Sequence, residues 1–376
     1  MSIKKMPVLR IGDWETDIPI VQGGMGVGIS LSGLTSAVAN AGGIGVIATA
    51  GIGQFEPDIK TNFKEANKRA LRKEIQKTKA KTDGIIGVNI MVALSDFDDL
   101  VQCAVEEEAN LLFLGAGLPI RLPETLPLDK LGELPTKFAP IVSSAKAAKL
   151  IFRSWAKQFD HIPDAVVIEG PLAGGHLGFK KEQIDNPDYS LEKILPEVIA
   201  AIKPYREQFN KNIPVIAAGG IYTGADIHKF MQLGAQGVQM GTRFVATCEC
   251  DASAEFKQAY LNCKKEDIVI IDSPVGLPGR AIRDKFLERI SSGVKETFKC
   301  PWKCLRSCDF KNVPYCIALA LGNAKLGKME RGFAFAGANA YRTDKIVSVK
   351  ELIETLVEEY MAVTMQRPTA TGMMSV

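Results

Sequence analysis

Eight short apolar runs recur along residues 18–245, and most of them end in or near small residues. They are rich in valine and isoleucine and continuous, which is typical of strands buried on both faces of a parallel sheet. The runs are IPIVQGGMG (18–26), GIGVIATAG (43–51), GIIGVNIM (84–91), NLLFLGAG (110–117), FAPIVSS (138–144), AVVIEGP (165–171), IPVIAAGGI (213–221) and GVQMGTRFV (237–245). The pattern therefore predicts eight parallel strands.

Stretches with helical spacing of apolar residues separate these runs. They cover residues 31–42, 59–82, 95–109, 145–159, 192–209 and 224–235. Strands that alternate with helices predict an α/β fold, and eight such units predict a (β/α)8 TIM barrel. A doubly wound sheet is the alternative. We prefer the barrel because no polar linker divides the eight units into halves.

The chain continues well beyond the eighth predicted strand. We predict an FMN-binding TIM barrel over residues 1–250, a helical insertion or lid with a cysteine cluster over 251–345, and a C-terminal helix over 346–376 that packs back on the barrel. Within the last two regions the pattern indicates a helix at 251–263, a loop at 272–290 and a final helix at 348–363. The C-terminal part is thus predicted to be smaller than the barrel and mostly helical.

Composition narrows the class of protein. Of 376 residues, 46% are hydrophobic and 24% are charged, and the formal net charge of +3 is too small to indicate nucleic acid or a membrane surface as partner. The N-terminus lacks the apolar core of a signal peptide, and no run approaches the roughly 18 apolar residues of a membrane span. Eight cysteines in a chain of this size indicate reduced thiols. We therefore predict a cytoplasmic protein, and a homodimer remains open.

Four predicted strand ends are glycine-rich. They carry Gly23-Gly24-Met25-Gly26, Gly174-Gly175, Gly219-Gly220 and Gly241-Thr242. Glycine lets phosphate oxygens approach the main chain, and barrels commonly seat a phosphate on the loops after strands seven and eight. Ile29 replaces the third glycine of the dinucleotide fingerprint, and no glycine run leads to a Walker lysine. The glycines therefore predict a phosphorylated ligand across the barrel mouth.

Five motifs, in this order, carry a family resemblance: PIVQGGMG, GVNI, EGPLAGGHLG, PVIAAGGI and GVQMGTRF. Together they resemble the nitronate monooxygenase (2-nitropropane dioxygenase) family, which includes the FMN-dependent enoyl-acyl-carrier-protein reductases. The resemblance covers about residues 7–290, with a weaker match at 332–342, and implies a TIM barrel that binds FMN without a covalent link. It implies the following FMN-binding residues: Gly24, Met25 and Asn89 at the ring, Gly174 and Gly175 at the ribityl chain, and Gly219, Gly220, Gly241 and Thr242 at the phosphate.

His176 matches the catalytic histidine of this family. Imidazole titrates near neutrality, so it can take an α-proton from a nitroalkane or donate a hydrogen bond to a nitronate or thioester oxygen. The other two histidines, His161 and His228, are predicted to lie on the surface. A non-catalytic barrel that binds a phosphate or a flavin is the alternative of another class, but it gives no reason for a histidine among the mouth glycines.

The family has two branches that differ in electron donor and acceptor. Nitronate monooxygenases pass electrons from a nitronate or nitroalkane to O2, whereas the reductases take hydride from NAD(P)H and reduce an enoyl thioester. Glu169 and the leucine after His176 resemble the reductase pattern, while Pro171-Leu172 departs from both branches. We place the monooxygenase first and keep the NAD(P)H-dependent reductase as the alternative. The expected partner is a small-molecule substrate in either case.

Four cysteines are clustered in the C-terminal region: Cys300, Cys304, Cys308 and Cys316. Four thiolates suit an iron–sulfur cluster or zinc, although neither the ferredoxin spacing nor the C-x2-C pairs of zinc sites are present. If the segment is helical, the first three lie on one face. The alternative is that they are free cysteines that pack the segment.

Overall fold

The computed structural model describes residues 6–300 and 302–365. The strands are β1 (Leu9–Ile11), β2 (Trp14–Thr16), β3 (Ile20–Gln22), β4 (Gly45–Ala48), β5 (Ile86–Met91), β6 (Leu111–Gly115), β7 (Lys137–Val142), β8 (Val166–Glu169), β9 (Gly175–His176), β10 (Val215–Ala218), β11 (Gly237–Met240), β12 (Ile268–Asp272) and β13 (Pro278–Ile282). The helices are α1 (Ser32–Asn40), α2 (Phe63–Lys79), α3 (Phe97–Glu106), α4 (Ala145–Phe159), α5 (Lys181–Ile184), α6 (Leu191–Gln208), α7 (Gly224–Gln232), α8 (Thr242–Val245), α9 (Ala254–Leu261), α10 (Lys285–Ser291), α11 (Ile317–Lys325) and α12 (Val349–Met365).

The eight apolar runs form one parallel sheet that closes on itself. Its strands lie in the order β3-β11-β10-β8-β7-β6-β5-β4. A parallel bridge joins Val21 to Ile44, and Ile44 N donates to the Ile20 carbonyl over 2.9 Å, which connects the two edge strands. The predicted TIM barrel is therefore confirmed. The strands are shorter than the apolar runs because the glycine-rich ends leave the sheet as loops.

The barrel interior is filled by side chains that point inward from the strands. Val21, Val46, Phe113, Val167 and Ile216 are fully buried and belong to this inner cluster. A Cβ on Gly87 would lie 2.7 Å from the Phe113 ring, so the small residue in β5 makes room for the large one in β6. The barrel is therefore a packed core, and any ligand must bind at its end.

The region after the barrel contains a second sheet. Strands β12 and β13 form an antiparallel hairpin, and β13 also pairs with the two-residue strand β9 in the order β12-β13-β9. The predicted loop at 272–290 is therefore wrong, since it contains β13 and α10. Ala281 and Ile282 of β13 are buried, so the apolar residues of this stretch contribute to the core as part of a strand.

Helix α12 covers α7 of the barrel. The Glu359 carboxylate accepts from Gly224 N over 2.6 Å, and the Tyr360 ring lies edge-on to His228 with 5.6 Å between centroids. His228 is therefore buried, against the expectation of a surface position, because α12 packs on its helix. The division into domains at 250 and 345 stays a prediction. No helix in the described ranges is long and apolar enough to cross a membrane.

Candidate active site

The loops after β3 and β11 meet strand β5 at the carboxyl end of the barrel. A Cβ on Gly24 would lie 2.3 Å from the Asn89 Cβ, and a Cβ on Gly241 would lie 3.6 Å from the Met25 sulfur. Asn89 is held in place by its amide, which donates to the Phe113 carbonyl over 3.3 Å. Four of the predicted site residues thus lie side by side. Only glycine fits at position 24, because any side chain there would displace Asn89.

Arg280 of β13 holds the glycine loop after β8 through hydrogen bonds to its main chain. The Arg280 guanidinium is buried and donates to the carbonyls of Pro171 and Ala173, over 2.5 and 2.7 Å. Gly175 has φ +75°, and a Cβ there would have no atom within 4 Å. The loop therefore presents bare main chain to open space. Nothing in the sequence pattern indicated Arg280, because its segment was predicted to be a loop.

The loops after β10 and β11 are joined by the C-terminal segment. Gly219 and Gly220 have φ values of +95° and +82°, which suit glycine. Asn339 donates to the Gly220 carbonyl over 2.7 Å, and Gly337 N donates to Thr242 Oγ1 over 3.0 Å. The weaker motif at 332–342 thus closes the predicted phosphate end of the site.

His176 lies at the edge of this mouth, in β9. Its Nε2 is 2.6 Å from Ser273 Oγ, and the Phe335 ring lies edge-on to the imidazole with 4.9 Å between centroids. Burial lowers the pKa of His176 to about 4, because the surroundings offer little water to the charged form. The imidazole is therefore neutral at physiological pH. The sequence did not indicate Ser273, which stands in no recognised motif. The weaker match at 332–342 contains Phe335 but implied no role for it.

An apolar cavity of about 70 Å³ adjoins His176. Met91, Trp302, Leu305 and Leu321 are among its lining residues, and no Lys, Arg, Asp or Glu of the described chain lines it. Trp302 stacks on Phe63 with 6.4 Å between ring centroids. The cavity can therefore take an uncharged hydrocarbon group next to the imidazole.

The cysteine-rich segment forms one wall of this cavity. Cys304 lines it, and Ser95 N donates to the Cys304 carbonyl over 3.1 Å, which ties the segment to the loop after β5. Residues 302–316 form turns and irregular structure, and Cys316 caps α11. Cys300, Cys304 and Cys308 therefore do not lie on one face of a helix.

The cysteines do not make a metal centre in the described chain. All eight are free thiols, and no group of three or more His, Cys, Asp or Glu side chains in residues 6–300 and 302–365 is arranged to hold a metal ion. Burial, with a smaller contribution from Cys316, raises the pKa of Cys304 to about 12, so this thiol is protonated. The geometry therefore does not support the predicted iron–sulfur or zinc site.

Glu169 ends β8 beneath the glycine loop. Burial raises the pKa of its carboxyl to about 7, because the surroundings offer little water to the charged form. A carboxyl with this pKa can hold or release a proton near neutral pH. The sequence singled out Glu169 only as a branch marker, and the structure adds its position at the barrel mouth.

A closed α/β barrel with a partly buried, neutral histidine beside an apolar cavity at the carboxyl strand ends defines a barrel enzyme. The chain belongs to the nitronate monooxygenase family, whose model matches residues 10–359. The resemblance found in the motifs is thereby confirmed, and the protein is an oxidoreductase.

The similar proteins carry different names. FabK from Thermotoga maritima is 31% identical, with a TM-score of 0.70 and coverage of 93% of this chain and 94% of that chain. A probable nitronate monooxygenase of Staphylococcus aureus is 29% identical over 73% of this chain and 78% of its own length. The "(3aS,4S,5R,7aS)-5-hydroxy-7a-methyl-1-oxo-octahydro-1H-indene-4-carboxyl-CoA dehydrogenase" of Mycobacterium tuberculosis is 27% identical over 90% of this chain and 92% of its own length.

Proposed function

We propose that the protein is an FMN-dependent nitronate monooxygenase that oxidises nitronates or nitroalkanes with an apolar substituent, using O2. The observation that carries this proposal is the apolar cavity beside His176, where a neutral base adjoins space for a hydrocarbon group. When bound, FMN supplies the electron-transfer chemistry. The chain itself must supply position, exclusion of water and one group that handles a proton.

The mouth residues fit a flavin mononucleotide. Gly175 faces open space of at least 4 Å, and Gly24 brings its main chain against Asn89. We assign Gly24, Met25 and Asn89 to the ring, Gly174 and Gly175 to the ribityl chain, and Gly219, Gly220, Gly241 and Thr242 to the phosphate. The missing Cβ leaves ligand space at Gly175, whereas at Gly24, Gly174, Gly219 and Gly220 it allows close packing of the protein around the site.

His176 acts as the base for a nitroalkane in this proposal. With a pKa of about 4, the imidazole is unprotonated above about pH 5 and can accept the α-proton. Ser273 fixes the ring through the 2.6 Å contact to Nε2. For a nitronate, which has already lost this proton, His176 positions the substrate instead.

The lining of the cavity also limits the range of substrates that we expect. No cationic side chain of the described residues lines it, so a carboxylate on the substrate would be buried there without a partner, at a cost in free energy. We therefore expect nitronates of simple alkanes to be better substrates than propionate-3-nitronate.

A second candidate is reduction of an enoyl thioester with NAD(P)H. The likeness to FabK extends over 93% of the chain at 31% identity, and the relative from Mycobacterium tuberculosis is named as a dehydrogenase of a CoA thioester. The apolar cavity would then hold the first carbons of the acyl chain. A longer chain would require Trp302 and Leu305 to move.

One anaerobic experiment separates the two candidates. The purified protein is mixed with ethyl nitronate in one cell and with NADH or NADPH in another, and the visible flavin absorbance is followed. Rapid loss of absorbance with the nitronate alone supports the monooxygenase. Loss with the nicotinamide, reversed by an enoyl thioester, supports the reductase and contradicts the first proposal. A protein that responds to neither contradicts both.

A further inference from the structure

Two arginines share one aromatic ring at the predicted phosphate end of the site. The Arg243 and Arg342 guanidinium carbons each lie 4.4 Å from the centroid of the Tyr222 ring. Tyr222 is 5% exposed, and its hydroxyl lies 3.4 Å from Thr343 Oγ1, so the ring is fixed. A guanidinium stacked on a fixed ring loses little further freedom when it binds a ligand. We call Arg243 and Arg342 the arginine pair.

The arginine pair has no acceptor among the residues that the structure describes. Neither guanidinium forms an ion pair or hydrogen bond with a described residue, and Arg243 Nε is buried without any hydrogen-bond partner. By contrast, Arg69 bonds Glu56 and Asp58, and Arg280 bonds two carbonyls. Buried donors are normally paired, so an unpaired one calls for an acceptor from outside the chain.

The arginine pair stands next to the glycine loops along the chain. Tyr222 stands two residues after Gly220, and Arg243 stands two residues after Gly241, in the short helix α8. Arg342 ends the segment whose Gly337 and Asn339 bond to Thr242 and Gly220. The two positive charges therefore flank the loops whose main-chain groups are suited to an anion.

We infer that Arg243 and Arg342 bind a phosphate group. Guanidinium matches phosphate oxygens with paired, charge-assisted hydrogen bonds, and two such groups offset a dianion. The phosphate comes either from the flavin itself or from a phosphorylated substrate, such as NADPH or a CoA thioester. The choice of these two sources rests on the proposed function, whereas the phosphate site itself is inferred from the two arginines.

The first arm of the test measures flavin binding without turnover. Flavin-free protein is titrated with FMN and with riboflavin, which lacks the phosphate, and flavin fluorescence gives each Kd. If the flavin is the source, Arg342→Gln and Arg243→Gln raise the Kd for FMN about tenfold each and leave that for riboflavin unchanged. Arg289→Gln is the matched control, because Arg289 also lies over a ring, Phe286, but has Glu296 as its partner.

The second arm uses phosphate compounds. If FMN affinity is unchanged but binding of pyrophosphate, followed by calorimetry, is lost in both variants, the substrate is the source and the inference stands. Variants that bind FMN and pyrophosphate as the wild type does overturn it. A wild type that binds no flavin contradicts the proposed function alone, since the pyrophosphate arm still decides this inference. Arg342 is exposed, so Arg342→Gln keeps the test valid if Arg243→Gln fails to fold.

Discussion

At the scale of single residues, His176 owes its chemistry to its surroundings. Gly175 and His176 pair with Arg280 and Gly279 of β13, and this short strand carries the imidazole away from bulk water. Phe335 covers one side of the ring, and Ser273 contacts Nε2. The low pKa follows from this enclosure. The histidine could be found in the sequence by its glycine neighbours, but its partners could not.

We predict that His176→Ala retains the flavin but lowers turnover on the order of 10²-fold, because a general base contributes about this much. Steady-state rates and the flavin content of the variant test this. His161→Ala is the matched control, since burial also lowers the pKa of His161 to about 4, whereas it lies near Lys211 and Asp164, away from the mouth. Equal rates for wild type and His176→Ala would make His176 structural.

The low pKa of His176 also predicts how kcat/KM depends on pH. Burial depresses the pKa of His176 from 6.5 to about 4, so the neutral form persists down to that pH and only then is the base lost. The wild-type kcat/KM should therefore stay level from pH 8 to about 5 and fall below it. A fall centred near 6.5 would show an exposed imidazole. The same shift makes folding stability rise with pH between about 4 and 6.5, where the unfolded chain binds more protons.

At the scale of elements, the strands and helices of the barrel follow from the apolar pattern, while the C-terminal additions do not. Eight valine- and isoleucine-rich runs that alternate with helices are typical of parallel strands buried on both faces, so the type of each element and its place along the chain were predictable. Strand β13, however, joins β9 across about 100 residues of chain. No local sequence pattern specifies such a pairing. For the same reason, the sequence did not indicate that Trp302 and Leu305 line the cavity beside His176.

The glycine loop after β8 offers a test of flavin contact. We predict that Gly175→Ala weakens FMN binding about tenfold or more, because the added methyl group enters the open space beside the loop. Gly293→Ala is the control, since Gly293 also has positive φ (+92°, against +75° at Gly175) and open space around it. Both variants bear similar backbone strain, so FMN titration isolates the contact. Equal affinities would place the flavin elsewhere.

At the scale of the whole molecule, the site is assembled from both ends of the chain. The loops of the barrel supply the glycines, while residues 335–342 and the β12–β13 hairpin supply Phe335, Asn339 and Ser273. A ligand bound between them stabilises the folded chain as a unit.

We predict that the purified protein carries one non-covalent FMN per chain and that added FMN raises its melting temperature, because FMN binds the folded state alone. Heat release followed by chromatography identifies the flavin, and a thermal scan of flavin-free protein against FMN concentration measures the shift. Riboflavin serves as the comparison ligand. Recovery of FAD, or a folded sample without flavin affinity, would contradict the assignment.

The pairing of β9 with β13 also sets an order of events during synthesis. Chains emerge from the ribosome N-terminus first, and the barrel strands all precede residue 241. His176 meets its hairpin only after about 40 further residues have been made, and the glycine loops meet Gly337 and Asn339 only after about 100. We therefore expect the nascent chain to pass through a stage with a formed barrel and an unfinished mouth, so that cofactor capture is among the last steps of its maturation.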